Sequence, residues 1–478
     1  MICKWDMPMA SYDVLSAHDA SFLYNETQAA HMHVGALAIL ERVQLSEEQV
    51  RAHVNSRLHL VPRLRRRVAW VPGNIGRPAL LDDPSFDIRS HVRFCELPAP
   101  RGVEQARQLM AELMSVPLDR GRPLWEIWFF DLSEERTGFI FKIHHCLVDG
   151  VSGVNVATVL LDPEKEPVRI EPPPFRPVGP PSRAKLLVDA VVEAYTPPIE
   201  LIRWLRGSEA EESRGMRRAA EIAKGTLSWA RSVRELAPRT SLSTPIGAAR
   251  RFASVRARLD DFKEIKKRYA CTVNDVVLAA VAGGLGKLMR ARGEDTDGLT
   301  MKAMVPVSLR DPSQRTGHGN KVSMMAAELP VGLRGAGERV EFVRDRVAEL
   351  KKSKQSLGSE LFMKLSEYAP PAVLALTGQA LTQRSHVNLV ITNVPGPQFP
   401  LYFQGAKLLD AIPCLPLFGT NSVGVAVLSY DGYIHFGLLG DRDALPDLHL
   451  FSQGIEEAIR EMLSAVGRGD QPRVEAAE

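Results

Sequence analysis

Residues 144–150 read His-His-Cys-Leu-Val-Asp-Gly, and no other stretch constrains this chain as much. Directly before it stands Phe139-Ile140-Phe141-Lys142-Ile143, whose aromatic and β-branched side chains predict a buried strand. Directly after it, Val151 to Leu161 reads as a helix. Two imidazoles, a carboxylate and a glycine are therefore packed into one strand-to-helix corner. In α/β sheets, ligand sites collect at strand ends.

Neighbouring residues of a strand face opposite sides. His144 and His145 therefore cannot both face one pocket while the strand stays regular. One histidine should serve a site, and the other should pack or orient the backbone. Imidazole is the side chain best placed to take a proton near neutral pH. Asp149 stands where the chain has just turned, and can fix a ring nitrogen or pin the corner by pairing with an arginine. Gly150 supplies backbone freedom. Three readings follow: ordinary corner residues, a metal site, or a general base that works without a nucleophilic serine or cysteine. Adjacent histidines at a strand end chelate poorly from one face, and the sequence holds no H-E-x-x-H or C-x-x-C partner, so no metal is expected.

A chain of 478 residues is too long for one ordinary core and suggests two or three domains. With 45% hydrophobic and 24% charged residues it has a globular composition, and a net charge of +3 is too small to argue for nucleic acid. Five scattered cysteines predict a reduced compartment and no disulfide framework. Cys146 reads as a small packing residue. Met1 to Asp6 lacks the apolar core of a signal peptide. No run of about 18 uncharged apolar residues occurs, so no spanning helix is expected.

Residues 1–165 form a first block, with helices near Glu47 to Leu58 and Val103 to Ser115 and strands over Trp125 to Asp131 and Phe139 to Ile143. A proline-dense connector, Pro172 to Pro181, follows. The linking segment, 166–245, is otherwise helical. Within it, Arg214 to Glu235 sets six basic residues against Glu221 and Glu235, with Met216, Ala220, Ala223, Leu227 and Ala230 at helical spacing. Such a helix can lie in a membrane interface, or pack on the protein with its arginines in water. Residues 246–478 form a second block. Asn274-Asp275 opens an apolar helix, Val276 to Met289, whose Ala280, Gly283 and Gly284 let another element approach closely. Strands are expected over Val305 to Leu309 and Val387 to Ile391, and a hairpin joins Val423–Leu428 to Ile434–Leu439. A last helix runs from Leu448 to Ala465, before a polar tail read as disordered.

The H-H-x-x-x-D-G corner resembles the signature of the CoA-dependent acyltransferase superfamily, which includes chloramphenicol acetyltransferase and the peptide-synthetase condensation domains. Further segments narrow the resemblance to the bacterial wax ester synthase/diacylglycerol acyltransferase family. In the first block they are Asp19 to Leu23, His31-Met32-His33-Val34-Gly35, Val61 to Arg67 and Pro117 to Glu126. In the second they are Asn274-Asp275, Val305 to Arg310 with Gly319-Asn320, Thr392 to Pro397 and Ser429-Tyr430-Asp431-Gly432. The match runs nearly end to end, leaving only about 165 to 245 without a clear counterpart.

This resemblance implies an α/β (α+β sandwich) fold of two chloramphenicol-acetyltransferase-like domains with a tunnel between them. It implies transfer of a long-chain acyl group from acyl-CoA, as co-substrate and without further cofactor, to diacylglycerol or a long-chain alcohol. His145 would be the general base, with no covalent acyl-enzyme. His144 would orient the backbone, and Asp149, beside Gly150, would pair structurally with Arg310. Asn393 or Thr392 would either donate to an oxyanion or cap the turn before Pro395. Asn274 and Asp275 would cap a helix and shape the tunnel. Pro123, Leu124 and Trp125 would be tunnel wall or core, and Gly319-Asn320 a tight turn. A cytoplasmic protein peripheral to a membrane or lipid droplet follows from such substrates. Two alternatives stay open: a related transferase using a carrier-protein donor or another alcohol, and a non-catalytic lipid-binding protein.

Overall fold

The computed structural model describes residues 12–148, 159–168, 170–195, 236–308, 322–352, 369, 373–375 and 386–467. The first half runs β1 (Asp13–Val14), α1 (Ala17–Asn25), β2 (His33–Glu41), α2 (Glu47–Arg57), β3 (Arg66–Ala69), β4 (Ala79–Asp82), β5 (Val92–Phe94), α3 (Val103–Met114), β6 (Trp125–Asp131) and β7 (Arg136–His144). After an extended, largely exposed run through 170–182 comes α4 (Arg183–Tyr195). The second half runs β8 (Arg250–Arg258), α5 (Leu259–Tyr269), α6 (Val273–Ala291), β9 (Met301–Ser308), β10 (Val322–Leu329), α7 (Ala336–Lys352), β11 (Leu389–Pro395), β12 (Tyr402–Phe403), β13 (Ala406–Cys414), β14 (Val423–Tyr430), β15 (Tyr433–Asp441) and α8 (Leu448–Ala465).

Each half is built on a six-stranded mixed sheet, ordered β12-β13-β2-β7-β6-β5 and β10-β9-β11-β14-β15-β8. A small sheet, β1-β4-β3, flanks the first. This is the α/β architecture that the resemblance implies.

β7 is buried along almost its whole length because both faces of its sheet are covered. Phe139, Phe141 and Ile143 enter one apolar cluster, and Ile140 enters another together with Met110 and Met114 of α3. Lys142 also points to the α3 side. Its Nζ donates to Leu113 O and Val116 O, both at 2.7 Å, and pairs with Glu126 at 3.1 Å. A buried ammonium thus satisfies carbonyls left open at the C-terminal end of a helix.

Two strands depart from the expected division at 246. β12 and β13 leave the second half and complete the first sheet, with Cys414 paired to Gly35 of β2. The Thr392–Pro397 and Ser429–Gly432 segments build this crossover. Gly396 N–H donates to Ser429 O at 2.9 Å, Asp431 N–H to Pro397 O at 3.1 Å, and Gly432 N–H to Gln398 Oε1 at 3.1 Å. Tyr430 hydroxyl, buried, accepts from Leu401 N–H at 2.8 Å and donates to Leu408 O at 3.1 Å.

α6 is buried from Val276 to Gly286. Gly283 and Gly284 admit α8, since a Cβ at 284 would lie 2.6 Å from Ile455 Cγ1. The N-cap of α6 is Thr272, not Asn274-Asp275. Asp275 is the third helical residue, and its carboxylate returns to Thr272 N–H at 2.8 Å to close a capping box. Among the described residues no single helix is long and apolar enough to cross a membrane.

Candidate active site

The regular strand ends at His144, and His145 opens a single 3-10 turn, His145–Leu147. Three chain segments clamp this corner. His144 N–H donates to Leu124 O at 2.9 Å, and His145 N–H donates to Met32 O at 2.8 Å. His144 Nδ1 accepts from Cys146 N–H at 3.1 Å and so caps the turn. The Pro123-Leu124-Trp125 and His31-Met32-His33 segments therefore flank the two histidines from either side, because β6 and β2 are the neighbours of β7.

The two imidazoles diverge, His144 as the last residue of the strand and His145 as the first of the turn. His145 is half-buried and stacks on Phe22 of α1, with ring centroids 3.9 Å apart and planes 15° apart. Its Nδ1 is buried without a hydrogen-bond partner among the described residues. Burial first, and then the field of neighbouring His18, push its pKa down to about 4. At neutral pH this ring is an uncharged acceptor.

His144 is buried and faces Glu26 and His33 instead. Glu26 Oε1 lies 3.3 Å from His33 Nε2 and 3.7 Å from His144 Nε2. Glu26 Oε2 accepts from Arg120 Nε–H at 3.1 Å. Burial alone would raise the Glu26 carboxyl, but His144, His33 and Arg120 outweigh it and hold it well below the usual carboxylate range. His33 is pushed down to about 3 by burial. Glu26 carries no local sequence signal. It meets the corner only through the end of α1 and the β2–β7 register, which sets His33 opposite His144.

Cys146 is fully buried in the first-half core, and burial holds its thiol well above the ordinary range. A thiolate there is disfavoured, which fits a packing role. The described cysteines, Cys95, Cys146, Cys271 and Cys414, are free. No group of three or more potential metal ligands occurs among the described residues.

Of the support residues, Leu124 and Trp125 are core. Trp125 Nε1–H donates to Leu64 O at 2.6 Å, and its ring stacks on His91. Asn274 and Asn393 come together, Asn393 Nδ2 donating to Asn274 Oδ1 at 3.2 Å. That bond occupies one of the two amide protons Asn393 has for an oxyanion. Asp149, Gly150, Arg310 and Gly319-Asn320 lie outside the described residues, as do most of Val151 to Leu161 and all of Arg214 to Glu235. Where the halves meet, a groove of about 850 Å³ lies between α3 and the β8–α8 side, lined by Arg107, Ser115, Arg250 and His449 among others. Neither corner histidine lines it.

Residues 15–277 match the wax ester synthase/diacylglycerol acyltransferase catalytic domain, and residues 318–463 match the C-terminal domain of the same family. The chain belongs to this family. It is 31% identical over 470 residues to a probable diacylglycerol O-acyltransferase of Mycobacterium tuberculosis, covering 94% of this chain and 96% of that one. A second protein of that name and organism is 31% identical over 467 residues, covering 95% and 100%. The solved wax ester synthase/diacylglycerol acyltransferase of Marinobacter aquaeolei superposes with a TM-score of 0.67 at 25% identity, covering 95% of this chain and 100% of that one. A trichothecene 15-O-acetyltransferase of Fusarium sporotrichioides shares the fold at 12% identity, with a TM-score of 0.59 and 94% coverage of each chain. Within the wax ester synthase/diacylglycerol acyltransferase family, the His-His corner of this member is thus a strand end clamped by β2 and β6.

Proposed function

We propose that this chain transfers a long-chain acyl group from acyl-CoA to the hydroxyl of diacylglycerol or of a long-chain alcohol, with His145 as general base. The observation that carries this reading is the His145 imidazole at the end of β7, held uncharged by burial, stacked on Phe22 and with no competent thiolate beside it. Nδ1 is buried, which leaves Nε2 for the alcohol proton. As Nε2 takes that proton, the alcohol oxygen forms its bond to the thioester carbonyl carbon. The tetrahedral intermediate then breaks its C–S bond, and the departing CoA thiolate recovers the proton from the imidazolium. No acyl-enzyme is needed, and CoA enters as co-substrate. A positioned base contributes about 10²- to 10⁴-fold, and the remaining acceleration comes from holding two substrates in line.

Such substrates reside in lipid, so the protein works at the surface of a membrane or lipid droplet from the cytoplasmic side. Exposed Val188, Val191 and Val192 on α4 support an apolar contact there. Radiolabelled palmitoyl-CoA supplied with diolein, then with hexadecanol, tests the reading. Label appearing in triacylglycerol or wax ester and never on the protein is the expected result. Label on the protein, or no labelled ester with either acceptor, would overturn it.

A further inference from the structure

Glu26 lies beside the histidine corner and has no part in the transfer just described. We propose that Glu26 is a positioning residue: its carboxylate fixes the proton of His144 on Nε2, which frees Nδ1 to hold the Cys146 amide and with it the turn that aims His145. The proposal rests on His145 being the base.

The hydrogen bonds leave one arrangement. Cys146 N–H donates to His144 Nδ1 at 3.1 Å, so Nδ1 carries no proton and Nε2 must. His144 Nε2 is buried, has no hydrogen-bond partner among the described residues and faces Glu26 Oε1 at 3.7 Å. Glu26 Oε1 is itself buried and equally without a hydrogen-bond partner. A buried donor thus faces a buried carboxylate oxygen, whose other neighbour, His33 Nε2 at 3.3 Å, accepts from Leu118 N–H at 3.4 Å. The gap is longer than an ordinary hydrogen bond, but an anion in such dry surroundings still discriminates between tautomers at that range. The other tautomer would aim a lone pair at the carboxylate and set an N–H against the Cys146 N–H. Arg120 Nε, 3.1 Å from Oε2, anchors the carboxylate from its other side.

His144 is the N-cap of the turn that carries His145. The bond to Leu124 O holds the strand end and the bond to Met32 O holds the first amide of the turn, whereas the next amide, that of Cys146, is held by His144 Nδ1. Releasing that amide lets the His145 ring shift against Phe22. A displacement of about 1 Å can cost about 100-fold in rate.

The test uses the full chain and acceptor-dependent thiol release from palmitoyl-CoA with diolein, resolved into kcat and KM. Glu26→Met keeps the side-chain length without an acceptor, whereas Glu26→Gln keeps an acceptor. His144→Asn puts an amide oxygen where Nδ1 stands, with no tautomer left to fix. Glu26→Met should lower kcat about 100-fold while KM for palmitoyl-CoA stays within about two-fold, and Glu26→Gln should recover at least about ten-fold of that loss. In the His144→Asn background, Glu26→Met should cost less than about three-fold, because the two residues act as one unit. An equal cost in both backgrounds, or a Gln variant as poor as the Met variant, overturns the proposal. Should Glu26→Met fail to fold, a kcat loss above about ten-fold in Glu26→Gln overturns it and a smaller loss upholds it. His145→Ala in the same assay separates the two claims. If that variant keeps acceptor-dependent release, the base assignment fails. If it is inactive and Glu26→Met costs the same in both backgrounds, only the Glu26 proposal falls.

Discussion

His145 works as an uncharged imidazole, and its surroundings set the pH range over which that holds. Burial and the neighbouring His18 push its pKa down to about 4, so the working form persists well below the range of an ordinary histidine. The base form is lost only as pH falls through that value. kcat/KM should therefore stay level from pH 8 to about 5, and fall about tenfold per unit below about 4. A pH jump read within seconds, before acid unfolding intervenes, measures this limb. A limb near 6.5 would show an ordinary, solvated imidazole and contradict the geometry. Strand alternation says only that His144 and His145 differ in role; the choice of His145 as base comes from the family resemblance. Glu26 could not be read from the sequence. It joins the site only once α1, β2 and β7 are folded together, and no local spacing encodes that.

Among the elements, those shaped by local periodicity were legible. α8 spans Leu448–Ala465 and β6 spans Trp125–Asp131 as the pattern predicts. The glycines of α6 meet α8 as their small size implies. The β12–β13 crossover was not legible, because it depends on register with a strand more than 360 residues earlier, Cys414 against Gly35. Asn393 and Thr392, read as candidate oxyanion donors or a turn cap, stand near the end of β11, from which the chain leaves one sheet for the other. Gly437 marks where the crossover passes over β15: a Cβ there would collide with Pro413 O. Main chain cannot yield as a flexible side chain does. Gly437→Ala should destabilise the protein by about 3 kcal/mol, the upper end of the overpacking range, read by urea unfolding. A loss below about 1 kcal/mol would mean that β13 does not cross so closely.

For the whole molecule, buried neutral histidines make acid the weak side. His33 and His435 are fully buried, and burial pushes each down to about 3. In the unfolded chain they titrate near about 6.5. Between those values the unfolded state takes up protons that the native state refuses, so stability falls as pH falls. Each group contributes a slope of about 1.4 kcal/mol per pH unit, so the pair gives about 3. Urea midpoints from pH 7 to pH 5 should drop accordingly once pH passes below about 6, and a flat profile would show that these histidines reach water in the native state.

The central claim is that His145 drives direct acyl transfer. The most direct test is thiol release from palmitoyl-CoA by the wild-type chain and His145→Ala, with diolein, with hexadecanol and with no acceptor. Release that requires an acceptor and falls about 10²- to 10⁴-fold in a folded His145→Ala protein is the expected result. Release without acceptor, or release that survives the substitution, would contradict it.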